Sequence, residues 1–191
     1  MRYSAEHKAQ TRKKILDAAA RRFRAEGYEG VGIDGLAKAA GVTNGAFYAH
    51  FGSKADAFRE VAADGLADLR AGIERCRAEY GDKWLAHFTR FYFGPLKLDD
   101  PENLCALPSF GPEIARAPAE TRAAFEVELQ GVAAALADGL DGDDAALRES
   151  KAWTILALFA GGVTLARSVT DPNLRAGVVS ALEKAVAAAS E

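Results

Sequence analysis

The chain has 191 residues, 49% of them hydrophobic and 27% charged, and a net charge of −3. This is enough apolar material for a real core, which excludes a disordered chain, and the length suits one large or two small domains. The longest apolar run, residues 155–166, is too short to cross a bilayer; the opening M-R-Y-S-A-E-H-K has no hydrophobic stretch, so no secretion signal is expected; and two cysteines, Cys76 and Cys105, fit a reducing cytoplasm better than a disulfide framework.

The charge is unevenly placed. Residues 1–54 hold ten Lys and Arg against five Asp and Glu, or +5, while residues 55–191 hold fourteen against twenty-two, or −8. A basic head on an acidic body points the head at a polyanion. The first predicted helix covers 5–25, with Ile15, Leu16, Ala19 and Phe23 as its inner stripe and Lys8, Arg12, Lys13 and Lys14 crowding its first half. Gly27 stops it, and Tyr28 is expected to pack beneath the elements that follow.

Residues 33–51, I-D-G-L-A-K-A-A-G-V-T-N-G-A-F-Y-A-H-F, read as two short helices around a tight turn. Ile33, Leu36, Ala37 and Ala40 recur on one buried face. Gly41 supplies the left-handed conformation that ends a helix cheaply, and Thr43 is a good N-cap for the next one. In that second helix Phe47 and Phe51 point one way, while Gly45 and Ala49 point roughly the other. Aromatic residues inside and tiny residues outside let a helix press closely on another surface. Helix, Gly-containing turn, helix is the helix-turn-helix pattern, whose second helix lies in the DNA major groove. Tyr48, His50 and Lys54 are phosphate-compatible donors within two turns, and Ser53 caps a further helix. Asn44 is placed to pair with adenine, and Thr43 to touch a base, a thymine methyl or a phosphate.

Residues 8–58 resemble the N-terminal DNA-binding domain of the TetR family of transcriptional regulators. The likeness is carried by T-R-K-K-I-L-D-A-A, by F-R-A-E-G-Y-E-G, and most specifically by the run from Ala40 to Lys54. It implies an all-α fold with a three-helix DNA-binding domain over 1–52 and a helical ligand-binding and dimerisation domain over 53–191, about nine helices in all. It also implies that Thr11 and Arg12 touch phosphate. The family usually carries a Thr pair where this chain has Val31 and Gly32. Gly32 can serve as N-cap but brings no hydroxyl to a phosphate.

The fourth helix is predicted from Ser53 toward Tyr80, with Phe58, Val61, Ala62, Gly65, Leu69 and Ile73 in helical register. An aromatic helix over 82–93 ends at Gly94-Pro95. Residues 99–112, with Pro101, Pro108 and Pro112, read as irregular or as short helices, and 113–116 as a single turn. A helix from Pro118 to about Asp138 carries Phe125, Leu129, Val132 and Leu136. The most hydrophobic helix, 145–170, is apolar nearly all round and so is buried on more than one side. Asp171-Pro172 precedes a last helix with a stripe of Leu174, Val178, Leu182 and Val186. Two such terminal helices suit either an intramolecular core or a four-helix bundle shared by two subunits, the latter as TetR-like proteins use. Trp153, Leu156, Ala160, Val163, Arg167, Val178, Leu182 and Val186 are the candidate dimer residues.

His7, His50 and His87 form no metal-binding spacing, and no nucleotide loop or hydrolase elbow occurs, so neither a metal, a cofactor nor an enzyme activity is expected. The aromatic residues Trp84, Phe88, Phe91, Tyr92, Phe110, Phe125 and Trp153, with Cys105, are candidates either for core packing or for a pocket. The resemblance implies that some line a pocket for an inducer, with Glu113, Arg116 or Arg167 as polar anchors. The sequence therefore points to a cytoplasmic homodimeric repressor that binds a palindromic operator in double-stranded DNA and leaves it when a small apolar or aromatic molecule binds. Alternatives are a regulator sensing electrophiles or oxidants through Cys105, and an architectural DNA binder without a ligand.

Overall fold

A computed structural model describes residues 5–191; residues 1–4, on which part of the expectation about a secretion signal rests, lie outside the described residues. All regular structure among the described residues is helical, with ten α-helical segments against the nine or so expected. None of these helices is long and apolar enough to cross a membrane.

Helix α1 (Ala5–Gly30) buries Ile15, Ala18, Ala19 and Phe23. Its helical path breaks where expected, at Gly27, which has φ 76° and ψ 169°. That positive φ suits glycine alone, and a Cβ there would also lie 3.0 Å from the Glu113 carboxylate. Helices α2 (Ile33–Ala40) and α3 (Asn44–Tyr48) follow, joined through Gly41 at φ 68°. The left-handed residue lets its own N–H return to the end of α2, the closure the sequence required.

Helix α4 (Lys54–Tyr80) is the spine. Ser53 caps it by accepting the Asp56 N–H at 3.0 Å. It packs against α1 on one side and, in the body, against α5 (Trp84–Tyr92), α7 (Ala106–Ile114) and α8 (Ala119–Ala137). Between α5 and α7 lie a short α6 (Pro95–Leu98) and a 3₁₀ turn at Pro101–Asn103. Pro118 stands at the N-cap of α8, next to the N1 position where proline is favoured. Helix α9 (Ala145–Ser168) packs against α8, and α10 (Pro172–Ser190) against α9 and α5.

Of the two readings of 99–112, irregular or short helices, the structure takes the second at 106–114. This segment is a nine-residue helix despite its two prolines. Pro108 is its third residue, where a backbone N–H has no helical partner to lose. Pro112 forfeits one bond, and the helix is held instead by burial of Ala106, Phe110 and Ile114 at four-residue intervals.

A single hydrophobic cluster runs from Ile15 in α1 to Val186 in α10. Tyr28, Phe58 and Phe110 form a ring-to-ring path from α1 through α4 to α7, at 4.9 and 5.4 Å between centroids. In the body Tyr92 stacks on Phe159 at 4.4 Å. Leu156, Val163 and Val186, predicted for a subunit interface, are buried inside this one chain, so they belong to its own core. Leu182 is likewise engaged: a Cβ on Gly162 would come within 2.7 Å of it, so α10 seats that leucine on the glycine of α9. Val178 and Leu182 are half-buried. The outward side of these two helices carries Trp153, Leu165 and Leu174, which are 38%, 59% and 54% exposed, and Arg167, which is also exposed.

Candidate nucleic-acid interface and body cavity

Helix α3 is five residues long and depends on its surroundings for stability, since so short a helix is marginal alone. Thr43 Oγ1 accepts the Ala46 N–H at 3.2 Å. Phe47 and Phe51 are buried with their rings 5.6 Å apart, anchoring the inner face. Thr43, Asn44, Gly45, Tyr48 and Ala49 are exposed. The outer face thus offers two hydroxyls and an amide on a surface kept low by Gly45 and Ala49. This is the two-sided helix that the sequence predicts.

The polar side chains around it are more committed than the sequence suggested. The Asn44 amide donates to Asp34 of α2. The Lys54 ammonium turns inward, donating to the carbonyls of Tyr28 at 2.9 Å and Val31 at 3.3 Å, and it lies 4.1 Å from the Tyr28 ring. Two of its three donors are used within the protein. Arg12 is paired with Glu60 of α4 and covers the Phe51 ring at 4.8 Å. Thr11 donates to the His7 carbonyl at 2.9 Å. His50 is half-buried with an unpartnered Nδ1; burial, and then Lys8 and Arg12, push its pKa below the ordinary value. Gly32 occupies the N-cap of α2 without a side-chain bond. Lys13 is held by Asp17 at 3.0 Å, whereas Lys8, Lys14 and Lys38 are exposed with no ion pair among the described residues. Asp34, Glu60 and Glu113 are the partners that sequence reasoning missed. They lie 10, 48 and 85 residues from the groups they bind, and no local pattern marks them.

The body holds a cavity of about 380 Å³ between α1, α4, α5 and the 103–106 segment. Of the predicted pocket residues, Phe88, Phe91, Tyr92 and Cys105 line it. Trp84, Phe110, Phe125 and Trp153 do not. Trp84 is buried and donates its indole N–H to the Gly139 carbonyl at 3.0 Å. Phe110 packs on Phe58, Phe125 lies in the core, and Trp153 is on the surface beside Glu149. The predicted polar anchors are elsewhere: Glu113 accepts the Tyr28 N–H, Arg116 lines a separate cavity, and Arg167 is exposed. The cavity's charged lining is Arg24, Arg75 and Lys97 with Asp68. Burial pushes the Cys105 thiol above its ordinary pKa, and the Cys76 thiol likewise. Lys97 and Arg24 stand near Cys105, but burial outweighs them, so neither thiol is in the thiolate-favouring setting of a reactive cysteine.

An exposed recognition-type helix on an aromatic anchor, joined by a long spine to a helical body, defines a helix-turn-helix protein with a separate helical body. Residues 15–61 match the family described as "Bacterial regulatory proteins, tetR family". It is 48% identical over 52 residues to the HTH-type transcriptional regulator AcrR of Shigella flexneri, a match covering 27% of this chain and 24% of that one. It is 40% identical over 82 residues to the HTH-type transcriptional regulator SrpR of Pseudomonas putida, covering 39% and 38%. The chain thus spans well under half the length of these two curated relatives. A TetR-family regulator from Cytophaga hutchinsonii superimposes with a TM-score of 0.77 over 98% of both chains at 17% identity, which establishes the shared fold.

Proposed function

We propose that this chain is a dimeric, ligand-responsive transcriptional regulator that represses from a palindromic operator and leaves it when a small molecule enters the body. It acts inside the cytoplasm on double-stranded DNA and is not an enzyme. Residues 1–52 are the DNA-binding head and 53–191 the ligand-binding and dimerisation body. The observation that carries this reading is the outer face of α3, low, polar and solvent-exposed, on buried Phe47 and Phe51. Thr43, Asn44, Gly45 and Tyr48 are its contact residues, with Thr11, Arg12, Gly32 and His50 flanking.

The same reading assigns dimerisation to the outward side of α9 and α10. Trp153, Ala160 and Arg167 remain its candidates, joined by the exposed Leu165 and Leu174. Two-fold pairing would set two α3 helices on half-sites one DNA turn, or a multiple, apart. Ligand-driven release is a coupling of two sites through two states, and the body cavity lies within the size range of small-molecule sites.

The test is selection of random duplexes on the purified protein at near-physiological salt, with the complex sized in the same run. An enriched palindrome carrying one or two dimers supports the reading. Weak, salt-sensitive binding without an enriched sequence sinks it in favour of an architectural role.

A further inference from the structure

Arg24 belongs to α1, the first helix of the head, yet its side chain walls the body cavity. Its guanidinium forms no ion pair among the described residues, and its Nε is buried without a hydrogen-bond partner. A buried donor left unmade is costly, and a charged one more so. The surroundings compensate only in part: the guanidinium lies 5.6 Å from the Phe110 ring centroid, and burial lowers its pKa despite the nearby Asp68. Tyr92, 3% exposed, also lines the cavity, and its hydroxyl has no hydrogen-bond partner other than the neighbouring Cys105 thiol. Burial holds that hydroxyl protonated, and so a donor. Three cations, Arg24, Arg75 and Lys97, face the cavity against one carboxylate, Asp68. The rest of the lining, Asn103 apart, is mostly apolar and includes Leu69, Phe88, Phe91 and Leu104.

We propose that the cavity binds an organic carboxylate with an apolar body, its carboxylate held by the Arg24 guanidinium and the Tyr92 hydroxyl. A planar fork of donors matches a carboxylate in two-pronged geometry, and the aromatic wall takes the remainder. The excess of cations selects an anion over a neutral or cationic molecule. Because Arg24 is a head residue, filling the cavity acts directly on α1, without relay through the spine. This inference rests on the ligand-responsive reading above and specifies its ligand.

The experiment is calorimetric titration of the full-length chain with matched pairs: naphthoate against naphthamide, and decanoate against decanamide. At least one acid should bind roughly tenfold or more tighter than its amide, the worth of a charge-assisted contact. Arg24→Met should erase that preference while helical content stays that of the wild type. Should Arg24→Met fail to fold, the acid-to-amide ratio in the wild type, with Arg24→Lys as a milder variant, decides alone. Amides binding as tightly as acids, or none of the four binding at its solubility limit, overturns the proposal. The same compounds are then tested for release of the selected duplex. Amides that bind and release it would leave the regulator reading intact and remove only the carboxylate. An acid preference in a chain that selects no duplex would keep the carboxylate site and remove the regulator.

Discussion

The Glu113 carboxylate of α7 accepts the Tyr28 backbone N–H of α1 at 2.6 Å, across 85 residues of sequence. This bond closes the chain just after the break at Gly27 and ties the end of the head's first helix to the body. Glu113→Ala strands the Tyr28 N–H and is expected to cost about 1–3 kcal/mol of stability. Urea denaturation measures it. A loss below a few tenths would mean that water replaces the carboxylate freely.

Lys54 stands where a phosphate contact is expected, yet its ammonium holds the carbonyls of Tyr28 and Val31. Lys54→Met should therefore lower the urea midpoint, and leave the slope of log affinity against log salt close to that of the wild type. A drop in that slope of about one would show instead that Lys54 neutralises a phosphate.

Asn44 is the base reader in our interpretation, held in place by Asp34. Asn44→Ala should change preference at one base pair, worth roughly 1–3 kcal/mol. Equal loss on all duplexes, measured with single-position operator variants, would move Asn44 to the backbone-contact class.

Gly32 has φ −92° and ψ 170°, which any residue adopts, and a Cβ there would meet nothing within 4 Å. Gly32→Thr should gain a few tenths of a kcal/mol as a helix cap and about 0.4–1 kcal/mol by restricting the unfolded chain. It also supplies the hydroxyl that the resemblance leads one to expect at a phosphate. We expect a higher urea midpoint together with tighter duplex binding. Stabilisation with unchanged affinity would place residue 32 outside the DNA contact.

Asp64 lies on α4 between Glu60 and Asp68, and its pKa is raised, first by burial and then by those two carboxylates. The folded chain therefore holds this proton more tightly than the unfolded chain, whose value is about 3.9. The favourable contribution is complete below that value and is lost as pH rises through the folded-state pKa. Asp64 is exposed and solvent screens much of this effect, so Asp64→Asn should raise the urea midpoint only slightly at pH 7 and not in acid. An equal gain at both would point to a cause unrelated to charge.

What the sequence made legible was local. Gly41, Thr43 and the Phe47–Phe51 spacing act within a few residues, and each of those expectations matches the structure: φ 68° at Gly41, the Thr43 cap, and two buried rings. Proline punctuation left 106–114 open between irregular chain and short helix, because the burial that sustains the helix comes from residues far along the chain. The same holds at the sites. Lys54 meets partners 26 and 23 residues away, and Arg24 meets a cavity built largely from α4, α5 and the 103–106 segment. Helical periodicity reports which side of a helix is apolar. It says nothing of which other element lies against it, and for this reason Leu156, Val163 and Val186 were assigned to a partner when they face their own subunit.

Arg24 has a consequence for how such chains can be recombined. A chimera joining a foreign head to this body at residue 52 would replace one wall of the body's own cavity along with the DNA-reading surface. Transplanting the operator preference alone would require a graft that begins beyond residue 24, or one that restores arginine there. The DNA-reading segment carries one residue of the ligand cavity, so exchanging that segment whole alters what the body can hold unless arginine is kept at 24.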